Sequence, residues 1–350
     1  MLYNTENPHG GDIYEGKIEL DFSANTNPFG VPEGVKAAVS ACLDRLSAYP
    51  DPYCRRLVSA IAEHENVPKE YVLCGAGAAE LIYSFASAVR PGRAAELAPT
   101  FAEYSLPLAD ADINRFYLKE ENGFRPTRDF IDFVDEAKPE AVFLCNPNNP
   151  TGVSADPGLI EEAARKCRDA GCRLFLDECF MDLADEPASF VPRLAEYPNA
   201  AVIKAFTKAH GMAGLRLGYC LSADAELLTR MSRAVQPWNV SSAAQEAGIA
   251  ALSETAFIEK TRLFIKKERP RMAAELKKLG FAVFDSEVNF LLIKGSPGLD
   301  EGLLKMGIKI RNCANYHGLG EGCYRVAVKL PEENDRLAEA VSEVLKWQGT

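Results

Sequence analysis

Lys204-Ala-Phe-Thr-Lys208-Ala-His-Gly-Met-Ala-Gly-Leu-Arg216-Leu-Gly218-Tyr219 follows an apolar run at 200–203 and leads into another. It sets Lys208 in a loop at the end of a strand-like segment, with Thr207 beside it and an arginine eight residues on. A lysine that forms a Schiff base needs such company: a strand end, hydroxyls, and a cation that can hold a phosphate. A surface loop with two ordinary lysines suits the same residues, so the reading turns on what surrounds the stretch.

Outward from it, strand-like and helix-like segments alternate from about residue 33 to 221. Helical periodicity spans 35–46, 52–65, 78–89 and 157–170. Short apolar runs at 71–74, 94–98, 113–118, 141–145, 173–177, 201–205 and 218–221 read as strands, with a helix-like piece between the second and third. Strands alternating with crossover helices predict an α/β fold with a mostly parallel sheet covered on both faces. Ligands then bind at the carboxyl ends of the strands. After residue 224 come helices at 227–234, 242–252 and 257–279. Strands follow at 282–284, 289–293, 308–311 and 324–328, then a helix at 332–347, which predicts a smaller α+β domain. The expected division is an N-terminal segment at 1–32, a large domain at 33–235 and a small domain at 236–350.

Composition is that of a soluble globular chain, with 47% hydrophobic and 25% charged residues. The net charge of −11 argues against a general nucleic-acid surface and gives no attraction to an anionic membrane. No apolar run reaches the roughly 20 residues needed to span a bilayer, and residues 1–11 are too polar for a signal peptide. The ten cysteines show no C-x-x-C pair and read as small buried hydrophobes in a reducing, cytoplasmic setting. The four histidines have no metal-ligand spacing, so no metal is expected.

Three further motifs stand at predicted strand ends. Gly75-Ala76-Gly77-Ala78-Ala79-Glu80 opens a helix, where small residues let backbone N–H groups approach an anion; a plain Gly-rich turn fits as well. Asn146-Pro-Asn-Asn149-Pro-Thr-Gly152 makes a tight turn that leaves Asn149 able to donate a hydrogen bond. Asp177, in Leu174-Phe-Leu-Asp177-Glu-Cys-Phe180, either protonates a ring nitrogen or caps the next element. Pro99-Thr-Phe101-Ala-Glu-Tyr104 offers aromatics for ring stacking or for the core.

Taken in order, these motifs resemble the fold-type I, pyridoxal 5′-phosphate-dependent aminotransferase family over nearly the whole chain. The resemblance implies the aspartate aminotransferase-like fold, a seven-stranded large-domain sheet and a homodimer. It implies Lys208 as the Schiff-base lysine, Asp177 on the pyridine nitrogen and Asn149 on the ring hydroxyl. It implies Gly77 and Ala78 backbone, Thr207 and Arg216 on the cofactor phosphate, Tyr104 stacked on the ring, and Tyr49 reaching the other subunit's cofactor. Arg325 would grip a substrate carboxylate as a fork.

Within that family the chain resembles the histidinol-phosphate aminotransferase branch and, more narrowly, the L-threonine-O-3-phosphate decarboxylases of cobalamin biosynthesis. The narrower resemblance rests on His9-Gly-Gly-Asp-Ile with Leu20-Asp-Phe-Ser-Ala-Asn25-Thr-Asn27-Pro, on Ile310-Arg311-Asn-Cys-Ala-Asn315-Tyr316, and on Phe180 where most aminotransferases carry tyrosine. It implies decarboxylation of L-threonine O-3-phosphate to (R)-1-aminopropan-2-yl phosphate. His9, Asn27, Arg311 and Arg325 are the candidates to hold its phosphate and carboxylate, with neither arginine assigned to either group. An N-terminal histidine without a fixed place is the alternative for His9. The chain departs from the family pattern at Ala76, Ala205 and Lys204, where Asn, Ser or Thr, and Arg are common. An aminotransferase acting on histidinol phosphate or another amino acid, and a non-catalytic ligand-binding relative, are the competing readings.

Overall fold

The structure, a computed structural model, describes residues 9–14 and 16–349; residues 1–8 of the expected N-terminal segment lie outside them. The chain opens with β1 (Leu20–Asp21), α1 (Glu33–Cys42) and α2 (Arg55–Glu65). Then β2 (Val72–Gly75), β3 (Arg93–Ala98), β4 (Asp112–Tyr117), β5 (Ala141–Cys145), β6 (Arg173–Asp177), β7 (Ala200–Ala205) and β8 (Gly218–Leu221) build a seven-stranded sheet in the order β2-β8-β7-β6-β5-β3-β4. β8 runs antiparallel to both neighbours, and the other pairs are parallel.

Every residue of β5 and β7 is buried, as expected where helices cover both faces of a parallel sheet. Alternate residues feed two cores. Val142 and Leu144 belong to the core that holds Leu57 and Ile61 of α2, while Phe143 and Cys145 belong to the core that holds Leu81 and Phe85 of α3 (Ala78–Val89). The crossover helices are α4 (Asp129–Ala137) and α5 (Pro157–Asp169), the latter capped by Asp156 on the N–H groups of Gly158 and Leu159. The single-turn α6 (Phe206–Ala209) follows β7, and α7 (Ala225–Arg233) follows β8.

Helix α8 (Ser242–Leu252) packs on α1 and α2, and Ala244, Ala247 and Ala251 join the core of the large sheet. The long α9 (Thr255–Lys278) then leads to a second sheet. There β9 (Ala282–Val283), β10 (Phe290–Lys294), β12 (Arg311–Asn312) and β13 (Cys323–Ala327) pair antiparallel in the order β12-β13-β10-β9. β11 (Ile308–Lys309) instead pairs parallel with β1, which ties the N-terminal segment to this end of the molecule. α10 (Leu299–Lys305) and α11 (Pro331–Gln348) cover a core of Phe22, Leu276, Leu291, Val326, Leu337 and Val341.

Three local expectations change. The strand expected at 308–311 is two strands in two sheets, because the chain leaves β1 at Ile310 to join β13. The piece between β3 and β4 is a pair of 3₁₀ turns, Ala102–Tyr104 and Leu106–Leu108, the second holding a proline that breaks helical continuity. α4 and α10 were not anticipated. α4 alternates Asp and Phe closely enough to blur its period, and α10 has only seven residues. All ten cysteines are free and buried, and among the described residues no helix is long and apolar enough to cross a membrane.

Candidate active site

The carboxyl ends of β5, β6 and β7 bring Asn149, Asp177 and Lys208 together. Lys208 lies in α6, its Nζ 5.6 Å from the centre of the Phe180 ring. The residue is half-buried, yet its ammonium sits among protein atoms. Desolvation there, reinforced by the charges of Arg325 and Arg216 and opposed by Cys179 and Asp177, lowers its pKa to about 8. The amine is therefore neutral, and nucleophilic, at a pH where an ordinary lysine is charged.

Asp177 is buried at the end of β6. It accepts from the Tyr104 hydroxyl at 2.7 Å and from the Cys179 N–H at 2.9 Å. Burial pushes its pKa up, while the Cys179 and Tyr104 contacts and the charge of Lys208 pull it back. Burial and the Asp177 charge hold the Tyr104 hydroxyl protonated, so it is the donor. The resemblance assigns Tyr104 to stacking on a cofactor ring. Its ring is wholly buried, stacked on Phe143 at 5.8 Å, and presents no face to the cleft. Phe101, half-buried and 5.4 Å from the His9 ring, is the aromatic at the rim.

Gly77 (φ +89) precedes α3 so closely to Arg216 that a Cβ there would lie 2.8 Å from Arg216 Nη2. The Gly77 N–H was expected to hold the phosphate, but it is already donated to the Gly75 carbonyl at 2.8 Å. Its contribution is the space its missing side chain leaves for the guanidinium. Ala78 and Ala79 begin α3, where N–H groups have no intrahelical acceptor and the helix dipole favours an anion. Thr207 is half-buried in α6 beside the lysine.

The small sheet supplies the cations. Antiparallel pairing sets Arg311 of β12 directly opposite Arg325 of β13, and both are buried. Arg325 donates through Nη2 to the Ser23 carbonyl at 2.6 Å and through Nη1 to Asn149 Oδ1, while its Nε is buried without a partner among the described residues. Arg311 donates to Asn315 Oδ1 at 2.7 Å and lies over the Tyr316 ring. His9 approaches from the N-terminal segment and pairs with Glu103. Phe180 packs edge-on against Phe290, whose ring lies under Arg325.

Tyr49, which the resemblance assigns to the other subunit's cofactor, lies outside this cluster. It is 81% exposed and rests on Trp238 at 4.9 Å. Asn27 was expected to bind substrate, but it is buried with its amide already engaged. Its Nδ2 donates to the Ala209 carbonyl at 2.6 Å and to Thr261 Oγ1 at 2.9 Å, and its Oδ1 accepts from Phe29 N at 2.9 Å. Both donors are spent, so none is left for a ligand. Sequence reading also missed a buried group beneath β7. There Lys204 pairs with Glu65 at 3.0 Å and Asp182 at 3.3 Å, and the Tyr219 hydroxyl donates to Glu65 at 2.5 Å. Only the oddity of a lysine at an arginine position pointed to it.

These residues fit pyridoxal 5′-phosphate. The amine of Lys208 is available, the Asp177 carboxylate is held in place by two donors, and the Gly77–Arg216 cradle admits no side chain. Comparison with known proteins agrees. The family described as aminotransferase class I and II matches residues 17–341. The threonine-phosphate decarboxylase of Salmonella typhimurium is 36% identical over 98% of this chain and 98% of its own length. A histidinol-phosphate aminotransferase of Cupriavidus pinatubonensis is 31% identical over 93% of this chain and 88% of its own. The crystal structure of the histidinol-phosphate aminotransferase from Clostridium acetobutylicum superposes with a TM-score of 0.86 at 30% identity, covering 93% of this chain and 99% of that one. This chain belongs to the class I and II aminotransferase family, in its histidinol-phosphate aminotransferase branch, and is a pyridoxal 5′-phosphate enzyme.

Proposed function

We propose that the protein decarboxylates L-threonine O-3-phosphate to (R)-1-aminopropan-2-yl phosphate, with Arg311 and Arg325 holding the substrate's phosphate and carboxylate. The observation that carries this reading is the cross-strand placement of the two buried arginines. Like charges directly opposite on a sheet repel, and burial adds to the cost. Anionic groups between them relieve both, so the pocket favours a substrate with more than one negative group. The likeness to a threonine-phosphate decarboxylase over the full chain supports the choice of substrate.

Bound pyridoxal 5′-phosphate supplies an electron sink for whichever Cα bond stands perpendicular to its ring. Asp177 would hold the pyridine nitrogen, Asn149 Nδ2 the ring hydroxyl, and Arg216, Thr207 and the first turn of α3 the phosphate. Phe180 lines the same space and has no hydroxyl with which to donate. Arg325 and Arg311 orient the substrate so that its carboxylate leaves, and the Lys208 amine returns a proton to the carbon left behind. His9 adds a further contact to the substrate from the N-terminal segment. Tyr49 completes the cofactor phosphate site of a partner subunit, so the working unit is a homodimer.

An aminotransferase is the second reading, favoured by the comparable likeness to histidinol-phosphate aminotransferases. Binding of L-threonine O-3-phosphate and of L-threonine, followed by the change in visible absorbance, tests the anchor itself. The phosphate ester should bind at least about a hundredfold more tightly. Of Arg311→Met and Arg325→Met, made separately, the one that removes the phosphate anchor should erase most of that difference. Equal binding of the two amino acids would contradict the reading.

A further inference from the structure

Asn27 lies far in sequence from Lys208, yet its side chain closes the turn that carries the lysine. We propose that Asn27 is a positioning residue for Lys208, coupling α6 to the long helix α9. The proposal rests on the cofactor-bearing role of Lys208 and not on the identity of the substrate.

α6 has four residues, a single turn that is unstable by itself. The carbonyls at the end of such a helix have no partners within it. Asn27 Nδ2 fills one of them, the Ala209 carbonyl adjacent to Lys208, at 2.6 Å. Its second N–H goes to Thr261 Oγ1 at 2.9 Å, and the Thr261 hydroxyl in turn donates to the Phe257 carbonyl at 2.8 Å within α9. The amide is itself oriented by the Phe29 N–H on Oδ1. Backbone contact reinforces the joint. Gly211 (φ +65) sits so near the segment holding Asn27 that a Cβ on it would lie 2.5 Å from the Gly30 carbonyl.

α9 spans two cores. Ile265 packs with Ala209 and Leu183, while Met272 and Leu276 belong to the core of the small sheet that bears both arginines. Asn27 is therefore the polar link between the element that holds the lysine and the helix that runs to the substrate anchors. A shift of α9 is transmitted through the Thr261 and Ala209 bonds to the Lys208 backbone. None of the charged or thiol groups that act on the lysine, namely Arg325, Cys179, Asp177 and Arg216, is among the bonding partners of the Asn27 side chain, so Asn27 acts on the lysine through the position of its turn.

The test uses holoenzyme carrying Asn27→Ala and, separately, the near-isosteric Thr261→Val. Three quantities are read: the pH midpoint of the visible absorbance of the bound cofactor, kcat and KM separately, and the melting temperature. Asn27→Ala is expected to move the absorbance midpoint and to lower kcat about tenfold with KM little changed. Thr261→Val should shift both in the same direction by less. A rise in KM with kcat and the absorbance midpoint unmoved would make Asn27 a substrate ligand and overturn the proposal. A lower melting temperature with the other readouts unmoved would reduce it to a structural bond and overturn it equally. If Asn27→Ala does not fold, an unshifted midpoint and kcat in Thr261→Val overturn it. The absorbance midpoint is read without substrate, so its result stands whether or not the decarboxylase reading does.

Discussion

Lys208 is made reactive by what surrounds it. Desolvation and two arginines lower its pKa to about 8. Below that value the amine is protonated, so capture of pyridoxal 5′-phosphate by the apoprotein should quicken about tenfold per pH unit and level off above pH 8. Stopped-flow absorbance would check this; a rise continuing toward the range of an ordinary lysine would contradict it. Asp177 depends on Tyr104 in the same way. Tyr104→Phe removes a hydrogen bond to a buried carboxylate, worth about 1.5–3 kcal/mol, and should lower kcat by roughly tenfold or more. Unchanged kcat would mean that the Cys179 N–H alone orients Asp177. Lys208, Asp177 and Arg325 are legible in the sequence because each follows or lies in a strand whose apolar run is plain. Tyr104 and Asn27 are not legible, since their roles depend on partners 73 and 182 residues away that only the fold brings near.

At the scale of elements, β7 and the α6 turn that follows it carry two lysines with opposite duties. Lys208 stands just past its end in the cleft, whereas Lys204 lies within it, buried against Glu65 of α2 and against Asp182. Burial alone would lower the pKa of Lys204, but Asp182, Glu65 and Glu178 outweigh it and keep the ammonium charged. Lys204→Met leaves carboxylates buried without their cation, which should destabilise the protein by about 3–5 kcal/mol. Denaturant unfolding would measure it, and a loss below about 1 kcal/mol would show that water or a rotamer change compensates. Most elements of the large sheet are legible because their strands are apolar runs and their helices keep one period; α4, where Asp and Phe alternate, is the exception. The small sheet is harder: two-residue strands such as β11 and β12 carry too little pattern, and their pairing is decided by β1 and β13.

For the whole molecule, a homodimer is expected. Tyr49, exposed on one chain beside Trp238, would meet the partner's cofactor phosphate. Light scattering should give twice the chain mass, and Tyr49→Phe should weaken cofactor binding by roughly fivefold, the loss of one hydrogen bond. A monomer with full cofactor affinity would contradict that assembly. The central claim is the choice of bond broken, which depends on how the paired arginines of the small sheet hold a substrate over the lysine of the large one. The most direct measurement is CO₂ release from L-threonine O-3-phosphate by the cofactor-loaded protein, with no 2-oxo acid present. A decarboxylase gives sustained release over many turnovers, lost in Lys208→Ala. A single turnover that converts the cofactor to its amine form without CO₂ would contradict it and establish an aminotransferase.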